Sequence, residues 1–290
     1  MTPKREIRGE LLCSPEISVL ILTLNEEVNL PGCLVSVAWS DDIVVFDSFS
    51  SDRTVEVAQS AGARVIQREF INYAMQRNIA LTEVSYKYPW ILMLDADERM
   101  TPEAFEEIRQ IIEDTRNVST LYRIRRKDLF FGRWLRRSSG YPTWFGRLFR
   151  AGRVTVKREI NEEYHTDGQV GYLKNHIIHF PFNKGIACWF ERHNRYSTME
   201  ASALIKETQS HIKLKHFFSS DPTMRRKLLK QLAYRMPGRP ILVFFYLYLY
   251  RLGFLDGGRG LTYCVLRAIY EYMIDLKVKE LRRRSIGQTV

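Results

Sequence analysis

The tripeptide Asp95-Ala96-Asp97 stands directly behind the apolar run Trp90-Ile-Leu-Met-Leu94. A short apolar run of this kind reads as a strand buried on both faces, so the backbone presenting the two carboxylates should be rigid. Carboxylates two residues apart can straddle a hard divalent cation, with diphosphate oxygens completing its octahedral shell. An ion held there would act as a Lewis acid on charge developing at a departing diphosphate. The spacing alone recurs by chance in many chains, and its weight comes from its company. Thr23-Leu-Asn25-Glu26-Glu27 follows one apolar run, and Asp47-Ser48, with Asp52 close behind, follows another. Any one of these acids could simply cap the next helix. Their recurrence behind three apolar runs argues for one shared crevice.

The elements that would carry them alternate in type. Ile17–Thr23, Asp42–Asp47, Arg64–Gln67 and Trp90–Leu94 read as strands, and Asn25–Val37, Thr54–Ala61 and Tyr73–Leu81 as helices. Thr101-Pro102-Glu103, an N-cap followed by proline in the first turn, opens a helix to about Ile112. Strands alternating with helices imply right-handed crossovers and a mostly parallel α/β sheet with helices on both faces. In such sheets ligands bind outside the carboxyl ends of the strands, where the acids lie. From about Leu121 the alternation stops. Tyr122–Arg126 and Arg147–Arg150 read as strands around a basic, aromatic loop, Lys127–Trp144, and Val154–Tyr164 and Gly171–Phe182 as further antiparallel or mixed strands. Beyond about Lys184 the pattern is helical and basic.

The chain has 290 residues, 45% hydrophobic and 27% charged, which excludes a disordered or low-complexity protein. Cys13, Cys33, Cys188 and Cys264 form no CxxC pair, so neither a zinc framework nor a disulfide scaffold is expected, and a reducing compartment fits. Met1–Glu16 carries no apolar signal core, and the longest apolar run, Ile241–Tyr250, is half of the ~20 residues a membrane span needs.

The three motif-bearing runs, Ile17–Glu27, Ile43-Val-Val-Phe-Asp-Ser-Phe-Ser-Ser-Asp-Arg-Thr54 and Leu94-Asp-Ala-Asp-Glu98, resemble family 2 inverting glycosyltransferases of the GT-A fold. With Arg147-Leu-Phe-Arg150, Asn194-Arg-Tyr-Ser-Thr198 and Gly253-Phe-Leu-Asp-Gly-Gly-Arg-Gly260, the chain is similar to the bacterial lipopolysaccharide-core β-1,4-glucosyltransferase group. The resemblance implies a nucleoside diphosphate sugar donor, UDP-glucose foremost, and a membrane-associated glycan or glycolipid acceptor. Thr23, Asn25 and Glu26 would border the nucleotide, Asp47 would contact the uridine base or ribose, and Asp52 would shape the same loop. Gln76-Arg77-Asn78 matches the family's donor-site motif. Asp95 would face the sugar nucleotide and Asp97 its Mg or Mn ion, with His179 a further metal or diphosphate ligand or else a structural histidine.

Inverting transfer needs one general base on the acceptor hydroxyl. The family carries an acid in the segment matching Ile160–Glu163, which implies Glu162 as base with Glu163 in reserve; Asn161 stands where the family more often has His. Thr143 and Phe145 replace the family's usual Asp and Gln in the acceptor loop. The implied organisation is an N-terminal extension (1–16), a catalytic domain (17–184, with a nucleotide-binding half 17–115 and an acceptor half 116–184) and a helical region (185–290).

Lys+Arg exceed Asp+Glu by 44 to 33, a net charge of +11. Such an excess calls for a polyanionic partner. Bases and aromatics crowd together from Arg123 to Lys157, a pattern that suits a phosphorylated glycolipid and equally a single nucleic-acid strand. No nucleic-acid-binding motif is present, and nucleic acid is not the expected partner. Near the C-terminus, bases from Lys213 to Arg239 precede Ile241–Tyr250, and Leu261–Leu276 leads to Lys277, Lys279 and Arg282–Arg284. Basic flanks around aromatic-rich helices fit an interfacial helix on an anionic leaflet, which would make the protein peripheral on the cytoplasmic face of the inner membrane. A homo-oligomer interface is the competing reading of these helices. A polyprenyl-phosphate sugar transferase is the competing enzyme.

Overall fold

In the computed structural model, which describes residues 16–157, 163–208 and 238–289, the chain forms two units: Met1–Arg125 with Trp144–Ile177, and Arg126–Thr143 with Ile178–Val290. In chain order the elements begin with β1 (Ile17–Thr23), α1 (Leu30–Ser36), β2 (Ile43–Asp47), α2 (Thr54–Ser60), β3 (Arg64–Gln67), α3 (Tyr73–Glu83), β4 (Trp90–Asp95), β5 (Glu98–Arg99) and α4 (Pro102–Glu113), all in the first unit. β6 (Ser119–Phe130), β7 (Arg133–Trp134), β8 (Trp144–Arg150), β9 (Val154–Lys157), β10 (Glu163–Thr166) and β11 (Gln169–His179) follow. Among the described residues they build a nine-stranded sheet in the order β3-β2-β1-β4-β8-β6-β11-β5, with β7 on β6, and a separate β9–β10 pair. The pairs β3–β2, β2–β1 and β1–β4 are parallel, and β4–β8 and β8–β6 are antiparallel. The fold is therefore the α/β class expected, with a parallel half followed by an antiparallel half.

The reason for this order is visible in burial. β1 and β4 are solvent-excluded along almost their whole length, as central parallel strands covered on both faces must be. One apolar layer joins Ile17, Val19 and Ile21 to Leu34 and Ile108; the other joins Leu20, Val44 and Met93 to Ala80 and Phe149. α4 starts where its cap predicts, the Thr101 hydroxyl accepting from Ala104 N at 3.2 Å and donating to His176 O at 3.1 Å.

Two elements differ from expectation. The helix anticipated from Asn25 starts only at Leu30, because the amides of Asn25, Glu26 and Glu27 donate to Ser50 Oγ, Thr54 Oγ1 and Asp52 Oδ2 of the loop behind β2. Pro31 in the first turn marks the true start. The presumed loop Lys127–Trp144 contains the end of a twelve-residue β6 and the short β7.

In the second unit α5 (Gly185–Thr208), α6 (Arg239–Phe245), a π-helical turn (Tyr246–Tyr250), a 3₁₀ turn (Gly253–Asp256) and α7 (Gly257–Ser285) form around Phe130, Leu135, Trp189, Leu266, Tyr270 and Ile274. Lys277 Nζ lies 2.5–2.8 Å from Asn194 O and Oδ1, Ser197 Oγ and Thr198 Oγ1, which gives Asn194–Thr198 a structural task. The Asp256 carboxylate accepts from the amides of Arg136, Arg137 and Ser138 at 2.8–3.2 Å. Gly260 must be glycine, since a Cβ there would sit 2.1 Å from Gly253 O. Arg239, the last of the bases ahead of Ile241–Tyr250, is buried against Glu271 (2.8 Å) and Asp275 (3.2 Å). Lys213 to Arg235 lie outside the described residues. No single described helix is long and apolar enough to cross a membrane; Arg239–Tyr250 and Gly253–Ser285 meet the length and composition together only as a pair bent by 72°.

Candidate active site

β1 lies between β2 and β4, and the register pairs Thr23 with Asp47 on one side and Leu22 with Asp95 on the other. Neighbouring strands are about 4.8 Å apart, so the carboxyl ends of β2 and β4 are within ~10 Å of each other on one sheet edge. The polar ends of the three strands meet there, as their spacing predicted.

Asp47 is fully buried and accepts four hydrogen bonds: from Thr23 Oγ1 at 2.9 Å, Ser50 N at 2.8 Å, Ser50 Oγ at 2.5 Å and Gln67 Nε2 at 3.1 Å. Asn25 takes a left-handed backbone (φ 54°), which asparagine tolerates, and its Oδ1 accepts from Ser51 N at 2.7 Å. Glu26 Oε2 accepts from Asn29 Nδ2 at 2.8 Å. Asp52 accepts from Thr54 N and the Thr54 hydroxyl at the start of α2, and from Glu27 N. Thr23, Asn25, Glu26, Asp47 and Asp52 thus lace two strand-end loops together.

Gln76 and Arg77 project from α3 to the same edge. Gln76 Nε2 donates to Ser48 Oγ at 3.0 Å, and its Oε1 is buried with no hydrogen-bond partner among the described residues. Arg77 binds Asp95 Oδ1 at 2.9 Å through Nη2 and the Tyr164 hydroxyl at 3.1 Å through Nε. Asn78 is engaged elsewhere, both ends of its amide bonding the Val156 backbone at 2.7 and 2.8 Å.

The sequence reading missed Arg147 and Glu98 as site residues. Arg147 Nη2 lies 2.6 Å from Asp95 Oδ2 and 2.7 Å from Glu98 Oε1. Burial by itself would lower the guanidinium's pKa, but the two carboxylates outweigh it and hold the group well above its ordinary value. The available signal was Arg147-Leu-Phe-Arg150, noted as a motif without a role. Asp97, 9% exposed, lies in the turn between β4 and β5.

Glu163 opens β10 with its side chain 47% exposed, 3.7 Å from His165 Nε2. Glu162 lies outside the described residues. His179 belongs to the second unit, where its Nδ1 is 2.7 Å from Asp128 Oδ1. Burial would raise the Asp128 carboxyl, but Arg126 and His179 outweigh it and hold it below the usual carboxylate range. Nδ1 is spent in that pairing, so a ligand role for His179 falls to Nε2. No group of three or more His, Cys, Asp or Glu side chains is arranged to hold a metal ion among the described residues.

Residues 18–168 match the profile of Glycosyl transferase family 2. The chain belongs to that family. The match contains every site residue named above except His179, so the sheet edge just described lies within the matched segment. Among relatives, the lipopolysaccharide core biosynthesis glycosyltransferase LpsC of Rhizobium meliloti is 27% identical over 66% of this chain and 72% of its own. An uncharacterized glycosyltransferase of Rickettsia bellii is 38% identical over 34% of each chain, so only about a third of that relative's length is covered. Among solved structures, S. aureus TarS 1–349 is 14% identical with a TM-score of 0.42 over 93% of this chain and 92% of its own.

Proposed function

We propose that this family 2 glycosyltransferase moves a hexose, with inversion, from a nucleoside diphosphate sugar to a hydroxyl of a membrane-associated glycan or glycolipid. The observation that carries the reading is the meeting of the β1, β2 and β4 ends on one sheet edge, with Asp47 and the Asp95–Glu98 turn on either side of Thr23. UDP-glucose is the donor to test first, and the kinship with LpsC supports a cell-envelope acceptor.

In this reading the loops behind β1 and β2 hold the nucleoside, and Arg77 stands beside the diphosphate. A carboxylate at Glu162 or Glu163 takes the proton of the acceptor hydroxyl as its oxygen attacks the anomeric carbon. The bond from that carbon to the diphosphate oxygen breaks with its electron pair on the leaving group. A divalent ion would arrive with the diphosphate: Asp97, in the turn behind β4, would supply one carboxylate and the phosphate oxygens most of the remaining ligands. Such an ion, when bound, stabilises the charge on the leaving diphosphate.

The exposed apolar residues of the second unit, among them Phe245, Leu249 and Tyr250, support peripheral attachment to an anionic membrane surface. The function is tested by a donor screen with Mg²⁺, Mn²⁺ or chelator, reading nucleoside diphosphate release. Transfer should need a divalent ion and fall at least about 100-fold in Asp97→Ala, the scale of one lost electrostatic contact to a leaving group. An enzyme that binds or cleaves no sugar nucleotide under any of these conditions would sink the proposal.

A further inference from the structure

We propose that Arg147 is a positioning residue for the cation-linked diphosphate: it fixes the Asp95–Glu98 turn so that Asp97 is presented in one geometry, and it withdraws Asp95 and Glu98 from competition for the ion. The inference rests on the reading of Asp97 given above and assigns a task to a buried residue.

The geometry is a closed ring. Arg147, 2% exposed on β8, spans Asp95 Oδ2 and Glu98 Oε1 with a single nitrogen, and Glu98 Oε2 accepts from Asp95 N at 3.2 Å. The ring closes across Ala96 and Asp97, fixing both ends of the segment that bears the Asp97 carboxylate. Arg77 holds the other Asp95 oxygen. Arg99 secures the backbone, donating to Ala96 O at 2.7 Å, Glu98 O at 2.8 Å and Asn29 O at 2.6 Å. Its guanidinium lies over Gly32, where a Cβ would come within 2.5 Å of Nε.

Arg147 Nε is buried with no hydrogen-bond partner among the described residues. A buried donor left unpaired is costly, so the guanidinium's placement is dictated by the two carboxylates and not by its own satisfaction. A carboxylate whose lone pairs point at arginine is a poor ligand for a hard cation. Two arginines against Asp95 and Glu98 therefore confine ion binding to one side of the turn. Lysine keeps the charge of arginine but not its planar reach.

The test is calorimetric titration of the full chain with UDP, or the nucleoside diphosphate that the donor screen selects, with and without Mn²⁺. The unaltered chain, Arg147→Lys and the charge-balanced pair Arg147→Gln/Glu98→Gln are compared. We expect metal-free nucleotide affinity within about twofold of the parent in both variants, and an Mn²⁺-dependent tightening reduced about 10-fold or more, as for residues that orient metal ligands. Retention of the parent's Mn²⁺-dependent tightening would overturn the inference, and so would an equal loss of metal-free and metal-linked affinity, the mark of a purely structural ion pair. Should Arg147→Lys not fold, the charge-balanced pair decides. If the unaltered chain itself shows no metal-linked nucleotide binding, it is the proposed function that fails.

Discussion

Asp47 illustrates how much one side chain can be asked to do. Its carboxylate gathers donors from β1, from its own loop and from β3, with no donor in excess of its lone pairs. Replacing it with alanine removes both acceptor oxygens. The Thr23 and Ser50 hydroxyls can turn to other partners, whereas Ser50 N is fixed by the backbone and loses its acceptor. Asp47→Ala should therefore cost about 1–3 kcal/mol of stability, seen as a lower urea midpoint with an unchanged slope. Unchanged stability with lost donor binding would instead make Asp47 a ligand contact and no knot. The sequence marked Asp47 as important because of its place behind an apolar run. It could not disclose the donors, since Thr23 and Gln67 are brought to it by pairings 24 and 20 residues away in the chain. Arg147 was illegible for the same reason: its partners lie about fifty residues off, on β4 and β5.

At the level of elements, the parallel half was readable because each strand is a short apolar run between helices of clear period, and β3 and α4 fall where expected. α1 was misread because its apparent first turn spends its amides on a neighbouring loop, a tertiary event without local signature. In the antiparallel half the pattern named strands but not their neighbours, which depend on close approaches such as that at Gly171. A Cβ on Gly171 would lie 2.1 Å from the Tyr122 ring, whose hydroxyl donates to Asn117 Oδ1 at 2.7 Å. The ring is 9% exposed and has little room to retreat. Gly171→Ala should accordingly destabilise the sheet by about 1–3 kcal/mol, the usual cost of overpacking. Thermal unfolding of Gly171→Ala alone and with Tyr122→Leu tests this: the second substitution should recover part of the loss, and additive losses would refute the clash.

Across the whole molecule the charge excess divides by unit. In the first unit Arg77, Arg147 and Arg153 are matched by carboxylates, and Arg150 lies over the Trp90 ring. In the second, exposed apolar residues stand beside exposed bases. Phe245 and Leu249, a helical turn apart, are each about half exposed, and Tyr250 is 77% exposed. On α7 a single stripe of exposed Leu261, Val265, Ile269, Tyr272 and Leu276 runs toward exposed Lys279, Arg282 and Arg283. A second copy of the chain would bring its own +11 against these bases, whereas an anionic leaflet would be drawn to them. Apolar insertion and charge attraction then make separable predictions. The protein should sediment with vesicles containing anionic phospholipid, less with zwitterionic vesicles, and less again as salt is raised. Phe245→Glu/Leu249→Glu, at positions already facing solvent, should leave the fold intact and lower partitioning more than about 10-fold, since each buried apolar side chain contributes about 1.5–3 kcal/mol. Equal sedimentation of the variant would show that charge alone holds the protein to the surface. A variant that stays off vesicles as the parent does, while a concentration-dependent dimer of the parent dissociates on substitution, would assign these helices to self-association.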